Sequence, residues 1–124
     1  MQTTATPKTV LVVEDNETSM RLFHALIESL GHNVLQAQNA NEALAQARRY
    51  RPDLIIMDVQ LPEVSGLVAA KWIRADENLK DIPIIAVTAL PGSEEAALQA
   101  GCEAYLDKPI SVASFLMTVE KLLR

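Results

Sequence analysis

The sequence predicts a doubly wound α/β domain: a five-stranded parallel sheet of order 2-1-3-4-5 with five helices covering its faces. Two observations carry this. Short apolar, β-branched runs alternate along the chain with segments of helical spacing, and the strongest runs are apolar at successive positions, as strands covered on both faces are. Polar residues able to do chemistry follow the runs directly, at the carboxyl edge where open α/β sheets bind their ligands.

The central strands are expected over Thr9 to Val13, Leu54 to Met57 and Ile82 to Val87. Asn33 to Ala37, with partial alternation, and the brief Ala104 to Leu106 have the shorter or more polar look of edge strands. The first helix is marked by Met20, Phe23, Ile27 and Leu30, and the second by Ala43, Leu44 and Ala47. A third helix is expected from about Gly66 to Asp76, a short fourth from Ser93 to Ala100, and a last from Val112 to Leu123. Helix punctuation agrees. Asn39 with Glu42 three residues on resembles a capping box, Ser111 can cap the last helix, and Gly31 and Gly101 can end two others.

A chain of 124 residues, 49% hydrophobic and 22% charged, suits one domain and is far from the profile of disorder. We expect a flexible segment over residues 1–7 and the folded domain over 8–124. The net charge of −5, with no basic stripe, argues against direct nucleic-acid binding. One cysteine cannot form an internal disulfide, the first residues lack the apolar stretch of a signal peptide, and no run is long enough to span a membrane. A cytoplasmic protein without membrane contact is expected.

At the expected carboxyl edge stand Glu14-Asp15-Asn16 after the first strand, Asp58 after the third, Thr88 after the fourth, and Asp107-Lys108 at the fifth. Three converging carboxylates repel one another unless they share a cation. Oxygen-only donors favour Mg²⁺ or Mn²⁺, with Asp15 and Asp58 as direct ligands and Glu14 acting through water. The competing reading is that Glu14 and Asp15 cap the first helix, a common role for acidic residues.

The whole set resembles the receiver domain of bacterial two-component response regulators, the CheY-like superfamily with a flavodoxin-like fold, from Lys8 to Arg124. The stretches that carry the resemblance are Val10-Leu11-Val12-Val13-Glu14-Asp15-Asn16, Pro52-Asp53-Leu54-Ile55-Ile56-Met57-Asp58, Leu61-Pro62-Glu63-Val64-Ser65-Gly66, Val87-Thr88-Ala89 and Lys108-Pro109-Ile110. The resemblance implies that Asp58 accepts a phosphoryl group from a histidine kinase or a histidine phosphotransfer protein. It implies a Mg²⁺ held by Asp15, Asp58 and the backbone carbonyl of Gln60, with Glu14 bound through water. Lys108, followed by a cis bond to Pro109, would pair with Asp58 and then with the phosphoryl group. Thr88 would act as the switch hydroxyl and Tyr105 as the switch aromatic. Output would run through the helix 4/strand 5/helix 5 face to a downstream protein, from a monomer or a phosphorylation-dependent dimer. On this reading the chain is a stand-alone phosphoacceptor rather than a dedicated enzyme.

The sequence departs from the family pattern in one place: the stretch from Thr88 to Lys108 is short, and the missing residues fall around Leu90-Pro91-Gly92-Ser93-Glu94-Glu95. The Pro-Gly pair is a turn signal, so the fourth helix is expected to be short or mobile. Gln60 and Leu90 stand two places beyond Asp58 and Thr88, positions that flank the path of hydrolytic water in the family. Leu90 cannot orient water, so slow self-dephosphorylation is expected. His24 and His32 are isolated, Cys102 is expected to be buried, and Trp72, Met20 and Met57 are read as packing residues. Two alternatives are carried forward: a pseudo-receiver that is never phosphorylated, and a Mg²⁺ phosphohydrolase of the haloacid dehalogenase type. The second needs another acid two residues after the nucleophile, where Gln60 stands.

Overall fold

Consecutive aliphatic residues are fully buried in a strand only when helices cover both sheet faces, and that requirement sets the architecture. A computed structural model describes residues 6–124. The elements run β1 (Thr9–Val13), α1 (Glu17–Ser29), β2 (Asn33–Ala37), α2 (Ala40–Tyr50), β3 (Leu54–Asp58), α3 (Gly66–Ala75), β4 (Ile84–Thr88), α4 (Glu94–Gln99), β5 (Ala104–Asp107) and α5 (Val112–Leu122). The strands form one parallel sheet in the order β2-β1-β3-β4-β5, as expected. Of the flexible segment expected over residues 1–7, residues 1–5 lie outside the described ones.

Successive side chains of β1, β3 and β4 feed two cores. Leu11, Val13, Ile55, Met57, Ile84 and Ala86 meet the small residues of α2 and α3. Val10, Val12, Leu54, Ile56, Ile85 and Val87 meet Met20, Phe23 and Ile27 of α1 and Phe115 and Val119 of α5. The Phe23 and Phe115 rings join those two helices with centroids 5.3 Å apart. Met20, Met57 and Cys102 are buried and Trp72 packs partly buried on the first core, as read from the sequence.

Three expectations need correction. The fourth strand begins at Ile84 rather than Ile82 because Pro83 has no N–H to give the ladder. Its carbonyl instead accepts from the Ile55 N–H. The third and fifth strands each extend one residue further, so that Asp58 and Asp107 are ladder residues paired with Val87 and Thr88. In the expected capping box, Asn39 Oδ1 does accept from the Glu42 N–H, but the Glu42 carboxylate reaches back to the N–H of Gln38. Gly31 and Gly101 end their helices at φ 87° and 99°, where a Cβ is disfavoured. The fourth helix is short, six residues, and Ser93 gives it no side-chain cap.

Candidate functional site

Parallel strands all deliver their carboxyl ends to one edge, so residues far apart in sequence meet there through topology alone. Glu14 and Asp15 follow β1 directly, Asp58 ends β3, and the three offer carboxylate oxygens within 4.8 Å of one another. Glu14 and Asp58 are buried while Asp15 is exposed, so the cluster opens to solvent on one side. Capping does not explain the acidic pair. The N-cap of α1 is Asn16, whose Oδ1 accepts from the Ser19 N–H at 2.8 Å.

Lys108, just past β5, closes the buried side. Its Nζ donates to Glu14 Oε1 at 2.7 Å and to Asp58 Oδ2 at 3.0 Å. The Lys108-Pro109 bond is cis, as the resemblance implied. The remaining carboxylate oxygens are held by the backbone: Asn16 N–H donates to Glu14 Oε2 at 3.1 Å, and Gln60 N–H to Asp58 Oδ1 at 2.9 Å. Gly66 lets α3 start against this loop, because a Cβ there would collide with the Asp58 carbonyl.

One cation serves an excess of acid, and the electrostatics show the strain. Burial pushes the Glu14 carboxyl above its ordinary value, against the Lys108 and Asn16 hydrogen bonds that favour its charge, and the nearby Asp58 adds to the rise. Burial alone would lower Lys108, but its hydrogen bonds to Glu14 and Asp58 outweigh that and hold the ammonium above the usual lysine value. The lysine therefore stays charged, and Glu14 is the acid left short of compensation. A divalent cation would relieve it, and the donor set fits one: oxygen atoms only, with an open side for the waters that Mg²⁺ keeps.

Thr88 is fully buried at the end of β4. Its Oγ1 accepts from the Leu90 N–H at 3.0 Å and donates to the Gln60 Oε1 at 3.4 Å. Tyr105 sits half-buried on β5, its hydroxyl 2.9 Å from Asp107 Oδ1 and 3.5 Å from the Leu90 carbonyl. The same carbonyl accepts from the Ser93 hydroxyl at 3.0 Å. Beside Tyr105 a groove is lined by Gly92, Glu94, Glu95, Leu98 and Asp107. All the residues expected from the sequence thus fall at or beside one rim. The histidines lie elsewhere: His24 contacts Gln36 and Glu28, and His32 accepts from the Lys8 N–H.

Sequence reasoning missed two features here. The Glu14–Lys108 contact spans 94 positions and is shorter than the expected one to Asp58. The side chain of Gln60 touches Thr88, whereas Gln60 had been read only for its carbonyl and for its place beside the path of hydrolytic water, never as a partner of Thr88. The parallel topology carried enough information to anticipate the first of these.

Residues 10–120 match the response regulator receiver domain family. The chain belongs to that family. Among curated relatives, the polar-differentiation response regulator DivK of Brucella anthropi is 54% identical over 119 residues, covering 94% of this chain and 97% of the relative. DivK of Brucella ovis is 52% identical, with 94% and 96% covered. A response regulator structure from Chloroflexus aurantiacus superposes with a TM-score of 0.91 at 30% identity, covering 95% of this receiver domain and 98% of the other chain. The receiver domain of a Pseudomonas aeruginosa sensor histidine kinase, solved with a magnesium ion coordinated in its active site cleft, gives 0.87 at 38% identity, with 95% and 98% covered. No helix among the described residues of this receiver domain is long and apolar enough to cross a membrane.

Proposed function

We propose that this receiver domain takes a phosphoryl group onto Asp58 from the phosphohistidine of a histidine kinase or histidine phosphotransfer protein, and signals by binding a downstream protein. The observation that carries the reading is the largely buried lysine bridging Asp58 and Glu14 beside an open third acid, Asp15. That arrangement holds an acceptor carboxylate in place with a cation already at hand.

Asp15, Asp58 and the backbone carbonyl of Gln60 are the proposed direct ligands of Mg²⁺, with Glu14 holding a bound water. The ion would supply charge neutralisation at the acceptor and at the incoming phosphoryl oxygens. The chain does the rest. Asp58 Oδ attacks phosphorus, the bond from phosphorus to the imidazole nitrogen breaks, and its electron pair returns to the ring. Lys108 then exchanges its bond to Asp58 for one to a phosphoryl oxygen, keeping a charged partner throughout.

Thr88 and Tyr105 are the proposed reporters. Once Asp58 carries phosphate, the Thr88 hydroxyl can donate to it, drawing Leu90 along through the bond they share and altering the Leu90 carbonyl that Tyr105 contacts. The face formed by α4, β5 and α5 is the proposed output surface, the cytoplasm the proposed location, and an acceptor rather than a turnover enzyme the proposed role. The relatives' name adds control of polar differentiation as the candidate process.

Incubation with acetyl phosphate and Mg²⁺ followed by intact-mass measurement tests this. A stable gain of one phosphate in the wild type, absent in Asp58→Asn, is expected. Continuous phosphate release would favour the phosphohydrolase, and an unchanged mass the pseudo-receiver.

A further inference from the structure

The hydroxyl of Thr88 has one proton, and in this structure that proton is already in use. The Leu90 N–H occupies one lone pair of Oγ1, and the hydroxyl donates to the side-chain oxygen of Gln60. A phosphoryl oxygen on Asp58 would need the same proton. Gln60 and the phosphoryl group therefore compete for it.

Gln60 is placed to make that competition sensitive to Asp58. Its backbone N–H donates to Asp58 Oδ1 at 2.9 Å, while its side chain, on an exposed residue, spans to Thr88 on the neighbouring strand. Thr88 is completely buried, so a hydroxyl left without an acceptor there would be costly. We propose that the Gln60 side chain is a latch: its amide oxygen satisfies the buried Thr88 hydroxyl in the unphosphorylated protein and so sets how readily Thr88 swings to the phosphoryl group. Gln60 is thus a positioning residue acting through Thr88. This rests on the phosphoacceptor reading above and adds to it the residue that biases the switch.

The latch has a directional consequence. Removing the acceptor raises the energy of the resting arrangement and leaves the engaged one untouched, because in the latter the hydroxyl points at the phosphoryl group. A population shift toward the engaged arrangement follows. A neutral hydrogen bond of this kind corresponds to roughly a three- to tenfold change in an equilibrium constant.

The test uses beryllofluoride with Mg²⁺ as the phosphoryl mimic, on the full chain. Gln60→Met keeps length and main-chain groups and removes the acceptor. Its affinity for beryllofluoride is expected to be about three- to tenfold tighter than wild type. In a Thr88→Val background the same substitution is expected to change nothing, since no hydroxyl remains to be latched. Before any mimic is added, the Leu90 amide resonance of Gln60→Met should already lie displaced toward its position in the beryllofluoride-bound wild type. Affinity within twofold of wild type, or an equal gain in the Thr88→Val background, would overturn the latch while leaving the phosphoacceptor reading intact. Absence of Mg²⁺-dependent beryllofluoride binding by the wild type would overturn both.

Discussion

The two edges of the sheet each hold a largely buried cation, and the two are satisfied in opposite ways. At the carboxyl edge Lys108 is shared between Glu14 and Asp58, and Asp15 adds a third acid. At the amino edge Arg74, at the end of α3, donates to the carbonyls of Gly101, Lys80 and Ile82 and to the Glu103 carboxylate. Glu103 also accepts from the Ile84 N–H, so the arginine ties the start of β4 to the approach to β5. The arginine's neighbourhood is balanced, one carboxylate and three carbonyls meeting its donors, with Glu103 itself partly exposed. The lysine's is open and acid-rich, an arrangement that costs stability and is useful only if something positive binds there. Function sits where charges are left unbalanced, and structure where they are not.

The largest effect should come from breaking the balanced edge. Arg74→Ala strips three carbonyls of their side-chain donor and Glu103 of its cation, and is expected to cost about 2 kcal/mol in urea unfolding, the partly exposed ion pair contributing little of it. A loss under about 1 kcal/mol would mean that water replaces the arginine readily and that the two edges differ less than their geometry shows. The open edge should respond with the opposite sign. Asp58→Asn removes one of the repelling acids and should raise stability by about 1 kcal/mol in metal-free buffer. Destabilisation there would show that the carboxylate is already compensated.

A smaller, kinetic effect concerns Leu90, a residue 48% exposed beside the site whose side chain offers no group to orient water. Leu90→Glu should shorten the lifetime of the phosphorylated form, followed by loss of the phosphate mass after the donor is removed; an unchanged lifetime would count against a role for this position. The smallest effect is at Cys102, near the amino edge, whose thiol burial pushes up from 9.0 to about 11. Because the folded state holds this proton more tightly, the contribution to stability is present below pH 9.0 and is lost as pH rises toward about 11. Alkylation at pH 8 should therefore be slow until urea unfolds the chain, and rapid labelling of the native protein would contradict the burial.

This contrast also explains what could be read from the sequence. β1 and β3 were legible because strands buried on both faces leave unbroken aliphatic runs, and the rim residues because each ends its strand or follows it directly. The start of β4 was misplaced because Ile82 and Pro83 continue the apolar look, although proline cannot join the ladder and the Ile82 carbonyl is claimed by Arg74. Arg74 itself was invisible. On a helix it reads as a solvated charge, and three of its four partners are backbone carbonyls, which carry no residue signature. The Gln60 to Thr88 bond was hidden for a related reason, since an exposed glutamine has no preferred partner until the fold supplies one. Chemistry built from side chains at strand ends can be read directly, whereas packing built on backbone acceptors waits for coordinates.

Calorimetric titration of the metal-free protein with Mg²⁺ addresses the open acidic rim most directly. Uptake of a single ion by the wild type, lost in both Asp15→Asn and Asp58→Asn but kept in Arg74→Ala under conditions where that variant is folded, is the expected result. No uptake, or uptake indifferent to both aspartates, would contradict it.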